Sequence, residues 1–194
     1  MSEYNPFSLK GKTILVTGAS SGIGKATAIE CSKMGAKLII TGRDEDRLSN
    51  TFNCLYGSIE NHKMIVADLT NRQQIESLVS QIGDINGAVL SAGRSMTLPI
   101  KFATTERFLE IFEINLFSQI ELLRLLIKKK KFINNSSVVF ISSIGGNTRF
   151  TPGNAIYGTA KSALSTFIKY CVVELSPKIR FNKSGQSRFC GSIN

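Results

Sequence analysis

The stretch YGTAK places Tyr157 and Lys161 four residues apart. On a helix that spacing puts the phenol and the ammonium on one face. A nearby cation favours the ionised phenol, so Tyr157 is a candidate general acid/base near neutral pH. Alone, such a pair is common and usually lies on a surface. Its value rises with its company. Residues 17–24 read TGASSGIG: Thr17, Gly18, Ala19, Ser20, Ser21, Gly22, Ile23, Gly24. Glycines here allow a tight turn and close backbone approach to a pyrophosphate, which then sits on the N-terminus of the next helix. Ser20 and Ser21 add hydroxyl donors. LIITGRDED sets Arg43 before Asp44. A guanidinium suits a phosphate, whereas Asp44 suits a helix N-cap. ISSIGG carries Ser142 and Ser143 on the way to Tyr157, and Asn115 interrupts the apolar face of FLEIFEINLFSQI.

These residues must be positioned by regular elements, and the pattern supplies them. Short apolar runs at KTILVT, KLIIT, HKMIVA, GAVLSAG, SVVFISS and IRFN read as strands. Helical periodicity fills the intervals. GIGKATAIECSKMG ends in Gly35, a C-terminal stop signal. One long helix is predicted from near Thr104 or Thr105 through Lys128–Lys131, and another, NAIYGTAKSALSTFIKYCVVELS, is stopped by Pro177. Strand–helix alternation builds parallel βαβ units. The expected fold is therefore α/β: a Rossmann-type doubly wound parallel sheet with helices on both faces. Such sheets bind ligands at the C-terminal ends of their strands, and every motif above falls there. No repeat or linker divides the chain, so residues 1–182 are expected to form one dinucleotide-binding domain.

Composition narrows the class further. Hydrophobic residues are 42% and charged ones 20% of 194 residues, as in an ordinary soluble domain. No apolar run has the length of a membrane span and MSEYNPFSLKGK is not a secretory leader, so a cytoplasmic setting is expected. Cys31, Cys54, Cys171 and Cys190 are scattered and His62 is the single histidine, so no metal site is expected. The net charge is +10. Its densest block, Lys128–Lys131, follows a helical pattern, where cations complement the dipole. No aromatic residues interleave with it, so no nucleic-acid partner is expected.

The spacing TGxxxGxG, with YGTAK after the fifth strand, resembles the short-chain dehydrogenase/reductase family from about Phe7 to Asn182. The resemblance implies a hydride-transferring oxidoreductase acting on a small carbonyl or alcohol substrate, such as a 3-oxoacyl thioester or another ketone. It makes Tyr157 and Lys161 the catalytic pair, which also contacts the cofactor, and Ser143 the serine that bonds the substrate oxygen, with Ser142 its close competitor. Asn115 takes the place of the asparagine that holds a water in a relay to the lysine. Asp68 and Leu69, in ADLT, fall where the family contacts adenine. Ser91, Ala92 and Gly93, in LSAG, line the ribose where the family usually has NNAG; Leu90 and Ser91 replace both asparagines, so their bracing bonds are missing. Arg43 at the end of the second strand favours NADP(H) over NAD(H). The resemblance also implies homo-oligomers for full-length relatives and leaves the state of this chain open.

After Asn182 the pattern dissolves into KSGQSRFCGSIN. The family continues there through a Pro-Gly turn into a substrate loop, a further helix and a last strand. Bases that can encode this tail, read one position later, give KVVNPGFVDQL. Residues 183–194 are accordingly expected to be a non-homologous, disordered tail left by a frameshift, with the C-terminal strand and helix missing from a truncated chain. Two other functions stay open at this level: an inactive remnant that still binds dinucleotide, and a basic nucleic-acid-binding or scaffolding module.

Overall fold

The computed structural model describes residues 5–176 and 178–184. In chain order, β1 is Thr13–Thr17, α1 Gly22–Lys33, β2 Lys37–Gly42, α2 Glu45–Phe52, β3 Lys63–Val66 and α3 Arg72–Gln81. Then come β4 Ile85–Leu90, α4 Thr105–Phe112, α5 Ser118–Lys128, β5 Phe132–Ile141, α6 Ala155–Leu175 and β6 Ile179–Ser184. All pairings are parallel, in the order β3-β2-β1-β4-β5-β6. The chain winds outward from β1 to β3, returns to the centre at β4, and winds out the other way. That reversal opens a crevice beyond the C-terminal ends of β1 and β4. The Rossmann-type doubly wound sheet expected from the pattern is the fold observed.

Period-two alternation sends neighbouring strand residues to opposite faces. Leu15, Ile39, Leu90 and Phe140 join one core with residues of α3, α5 and α6. Val16, Leu38, Ile40 and Val89 join the other with Ala28 of α1 and Leu48 of α2. Both faces of the central strands are thus buried, which explains why they read as unbroken apolar runs. Among the described residues no helix is long and apolar enough to cross a membrane.

Several boundaries differ from the sequence expectation, each for a local reason. The long helix is α4 and α5 joined by a π-turn, Glu113–Phe117, in which the Ser118 amide reaches back five residues to the Glu113 carbonyl. The extra residue falls around Asn115, and a 3.6-residue period cannot report it. β5 begins at Phe132 because the polar INNSS joins the ladder through an irregular register, with Asn135 left-handed at φ 63°. It ends at Ile141, which leaves Ser142 and Ser143 just beyond the strand. β6 pairs six residues with Ser136–Ile141 and takes in Lys183 and Ser184. Pro177 and the rest of the tail, residues 185–194, lie outside the described residues.

The entry to the crevice depends on two glycines. Gly18 has φ +63°, and a Cβ there would lie 2.9 Å from the Ala92 Cα. A Cβ on Gly24 would lie 2.3 Å from the Gly18 carbonyl oxygen. Both positions exclude any side chain on contact grounds. Gly24→Ala is therefore expected to destabilise the protein by about 1–3 kcal/mol in urea denaturation, despite alanine's better helix propensity. Gly83→Ala has nothing within 4 Å of the added methyl and is the matched control. It should be neutral or stabilising by roughly 0.5 kcal/mol through the unfolded state.

Candidate active site

One cleft of about 610 Å³ lies over the C-terminal ends of the strands. The glycine loop forms its floor: Gly18, Ser20, Ser21, Gly22, Ile23 and Gly24 all line it. Ser21 is the N-cap of α1 in an extended conformation and makes no side-chain cap bond, so the first turn of the helix opens toward the cleft. At one end stand Arg43, from the end of β2, and Asp68 with Leu69, after β3. Asp44 caps α2 as expected, accepting from the Arg47 amide at 3.0 Å and from its guanidinium at 2.7 Å. Those bonds, the backbone one first, hold the Asp44 carboxyl below its ordinary range. Arg47 also lines the cleft, a second cation that sequence reading did not single out. The Asp68 carboxylate accepts from the Thr70 amide at 2.9 Å and hydroxyl at 2.8 Å, which fixes the loop after β3.

At the other end, Ser91, Ala92, Gly93, Asn115, Tyr157 and Lys161 converge. The turn after β4 is braced from β1 by Thr17. The Thr17 hydroxyl oxygen accepts from the Ser91 amide at 3.0 Å and the Ala92 amide at 3.1 Å. Asn115, wholly buried in the π-turn, clamps the next residue. Its Nδ2 donates to the Arg94 carbonyl at 2.8 Å and its Oδ1 accepts from the Arg94 amide at 3.2 Å. Gly93 is left no room: a Cβ there would meet Asn115 Oδ1 at 2.6 Å and Lys161 Nζ at 3.5 Å. Outside this contact, the Arg94 side chain pairs with Glu110, which also holds Arg107 at 3.1 Å.

Tyr157 and Lys161 both rise from the first two turns of α6. Lys161 Nζ lies 5.9 Å from the Tyr157 ring centroid and donates to the Ile141 carbonyl at 2.7 Å. Lys161 is only 3% exposed, and burial pulls its ammonium down to a pKa of about 8. It is therefore still mostly charged at neutral pH, in a pocket where charge is strongly felt.

Of the catalytic and cofactor-binding residues proposed from sequence, only Ser143 and its competitor Ser142 do not line the cleft. The Ser143 Oγ accepts from the Gly145 amide at 3.1 Å. Ser142 is turned away altogether: it is buried, with its Oγ 2.6 Å from the Ser165 Oγ on α6. Among the described residues no cluster of His, Cys, Asp and Glu is arranged to hold a metal. The residues that sequence reading missed are Thr17, Arg47 and Gln119. Each carries its role through side-chain hydrogen bonding to backbone or to a neighbouring charge, which leaves no spacing signature.

Comparison with known proteins identifies the family of the chain. The family model for short chain dehydrogenases matches residues 12–185. The chain is 36% identical over 177 residues to a 3-oxoacyl-(acyl-carrier-protein) reductase of Rickettsia prowazekii, covering 88% of this chain and 69% of that protein. It is 32% identical over 185 residues to a tropinone reductase homolog of Arabidopsis thaliana, covering 91% of this chain and 69% of that one. A short-chain dehydrogenase/reductase structure from Brucella melitensis, described as glucose/ribitol dehydrogenase, superposes with a TM-score of 0.83 at 29% identity. It is covered to 71%, and this chain to 90%.

The buried ammonium yields a sign that can be checked. The Lys161 pKa falls from its ordinary 10.5 to about 8 on folding. Between those values the unfolded chain binds more protons than the folded one, so stability from this group rises with pH across the window. At about 1.4 kcal/mol per unit, wild type should gain roughly 3 kcal/mol over Lys161→Met between pH 7 and pH 10.5 in paired urea denaturations. A pH-independent difference between the two proteins would contradict the burial.

Proposed function

The chain belongs to the short-chain dehydrogenase/reductase family of NAD(P)-dependent oxidoreductases, and on that ground we propose that its cleft carries out hydride transfer between NADP(H) and a carbonyl or alcohol substrate, with Tyr157 as the acid/base. The observation that carries this reading is the convergence of Tyr157, Lys161, the glycine loop and Arg43 on one cleft. A 3-oxoacyl thioester is the substrate class suggested by the name of the Rickettsia relative.

The residues fit a dinucleotide. Gly18, Gly24 and Gly93 sit where any Cβ would collide with backbone or with the site's own side chains, so the backbone itself is the binding surface. The open first turn of α1 and the hydroxyls of Ser20 and Ser21 suit a pyrophosphate. Arg43 suits a 2′-phosphate, and the Asp44 carboxylate beside it is occupied by Arg47 rather than free to bond a ribose hydroxyl. When bound, the nicotinamide supplies or takes the hydride at the carbonyl carbon. The protein's part is the proton. In reduction Tyr157 gives its hydroxyl proton to the carbonyl oxygen; in oxidation it takes the alcohol proton. The Lys161 ammonium, held by the Ile141 carbonyl, stabilises the phenolate that results. Asn115 keeps the Arg94 backbone, and with it Gly93, packed against Lys161.

A second reading, dinucleotide binding without turnover, is favoured by one observation: Ser143 is bonded to Gly145 and stands outside the cleft lining. Cofactor fluorescence titration alongside a ketone-reduction assay separates the two. Turnover by wild type supports the first, and binding without turnover supports the second. Tyr157→Phe is expected to lower kcat by about 10²–10⁴ while leaving the dissociation constant for NADPH within about twofold. Arg43→Ala should weaken NADPH by roughly 10-fold or more and NADH by less than about twofold, measured by the same titration. Equal losses for both cofactors would remove Arg43 from the 2′-phosphate.

A further inference from the structure

Gln119 lies on α5, just past the π-turn, and is 1% exposed. Its Nε2 donates to the Ala92 carbonyl at 2.8 Å and to the Asn115 carbonyl at 3.2 Å. Two carbonyls can be faced only by the NH₂ end of an amide, so chemistry fixes the orientation of the side chain. That orientation leaves Oε1 buried with no partner among the described residues. An orphaned acceptor is costly, and an apolar residue of the same volume would avoid it. What the amide provides instead is a bridge between two backbone segments that no ladder joins.

The bridge completes a set. Ala92 is held at its amide by Thr17 from β1 and at its carbonyl by Gln119 from α5. Arg94 is held at both backbone groups by Asn115. Between them Gly93 lies against Asn115 Oδ1 and Lys161 Nζ, where an added Cβ would come within 2.6 Å and 3.5 Å. A turn so packed has no slack, so a shift at Ala92 is passed to Gly93 and on to the lysine. Resting on the function proposed above, we infer that Gln119 is a positioning residue: its amide locks the Ala92–Arg94 turn to the π-turn and thereby sets the wall of the site beside Lys161.

Gln119→Leu removes the bridge and the orphaned acceptor together, and Gln119→Met is the alternative if the branched side chain prevents folding. Ser118→Ala is the control: it deletes a neighbouring half-buried bond, from the Ser118 hydroxyl to the Ile114 carbonyl at 2.9 Å, that does not involve Ala92–Arg94. Hydrogen exchange on the protein without cofactor should rise about tenfold or more at the hydrogen-bonded Ala92 and Arg94 amides relative to Leu15 and Val16 in the Gln119 variant only. The variant should also show kcat lowered by about tenfold, with the substrate KM changed less than about threefold. Uniform exchange across the sheet, or an unchanged turn, overturns the inference and leaves the proposed function standing. Local exchange without any turnover in wild type sustains the positioning of the turn and overturns the proposed function instead.

Discussion

Thr17 is wholly buried where the sheet changes direction, and its hydroxyl oxygen takes hydrogen bonds from two successive amides of the turn after β4. The next residue, Gly18, is so close to that turn that a Cβ would lie 2.9 Å from the Ala92 Cα. β1 and β4 are neighbours in the ladder, yet their chains leave in opposite directions. The Thr17 contact keeps the two departing loops interlocked instead of letting them splay. The glycine floor and the Ala92–Gly93 wall are thereby held at a fixed separation, which is what makes the crevice a cleft. A serine would keep the hydroxyl but lose the methyl that fills the buried site; a valine would fill the site but strand two amides.

From that fixed point the remaining side chains are recruited by elements that arrive late in the chain. α6 brings Lys161 into a place where burial disfavours its charge. The Ile141 carbonyl is the only hydrogen-bond acceptor that Lys161 Nζ has among the described residues. A fold selected for stability alone would place an aliphatic residue there. The position makes sense if a poised ammonium is worth more to the chemistry than the stability it sacrifices. The π-turn fits the same logic. Asn115 sits within it and meets both backbone groups of Arg94.

Much of this was legible in the sequence because it rests on local rules. β-Branched apolar runs gave the strands, Gly35 and Asp44 marked helix ends, and the glycine loop, Arg43, Asp68 and the Tyr157–Lys161 pair all fall on the cleft. What escaped notice depends on groups that meet only in three dimensions. Thr17 reads as one more β-branched residue of β1, and Gln119 as one polar residue on a helix with an apolar face. Asn115 was visible as an interruption, but its π-turn was not, since a one-residue insertion shifts the period too little over a single turn. The choice between Ser142 and Ser143 could not be made from spacing, because it depends on which face of the strand end meets α6.

That choice has a physical consequence. Ser142 spends its hydroxyl on Ser165, whose own Oγ donates to the Lys161 carbonyl at 2.9 Å, so it anchors α6 to the end of β5 beneath the lysine. Ser143 is the residue left with freedom. Its backbone is extended, with φ −152° and ψ 144°, and carries no strain to release. The one hydrogen bond that its hydroxyl makes among the described residues, accepted from the Gly145 amide, is half-buried and of ordinary length, worth about 1 kcal/mol. Freeing the Ser143 hydroxyl would cost only that one bond, whereas freeing Ser142 would unfasten α6. The two adjacent serines thus divide by partner: Ser142 fastens the scaffold through α6, and Ser143 is tied only to its own loop.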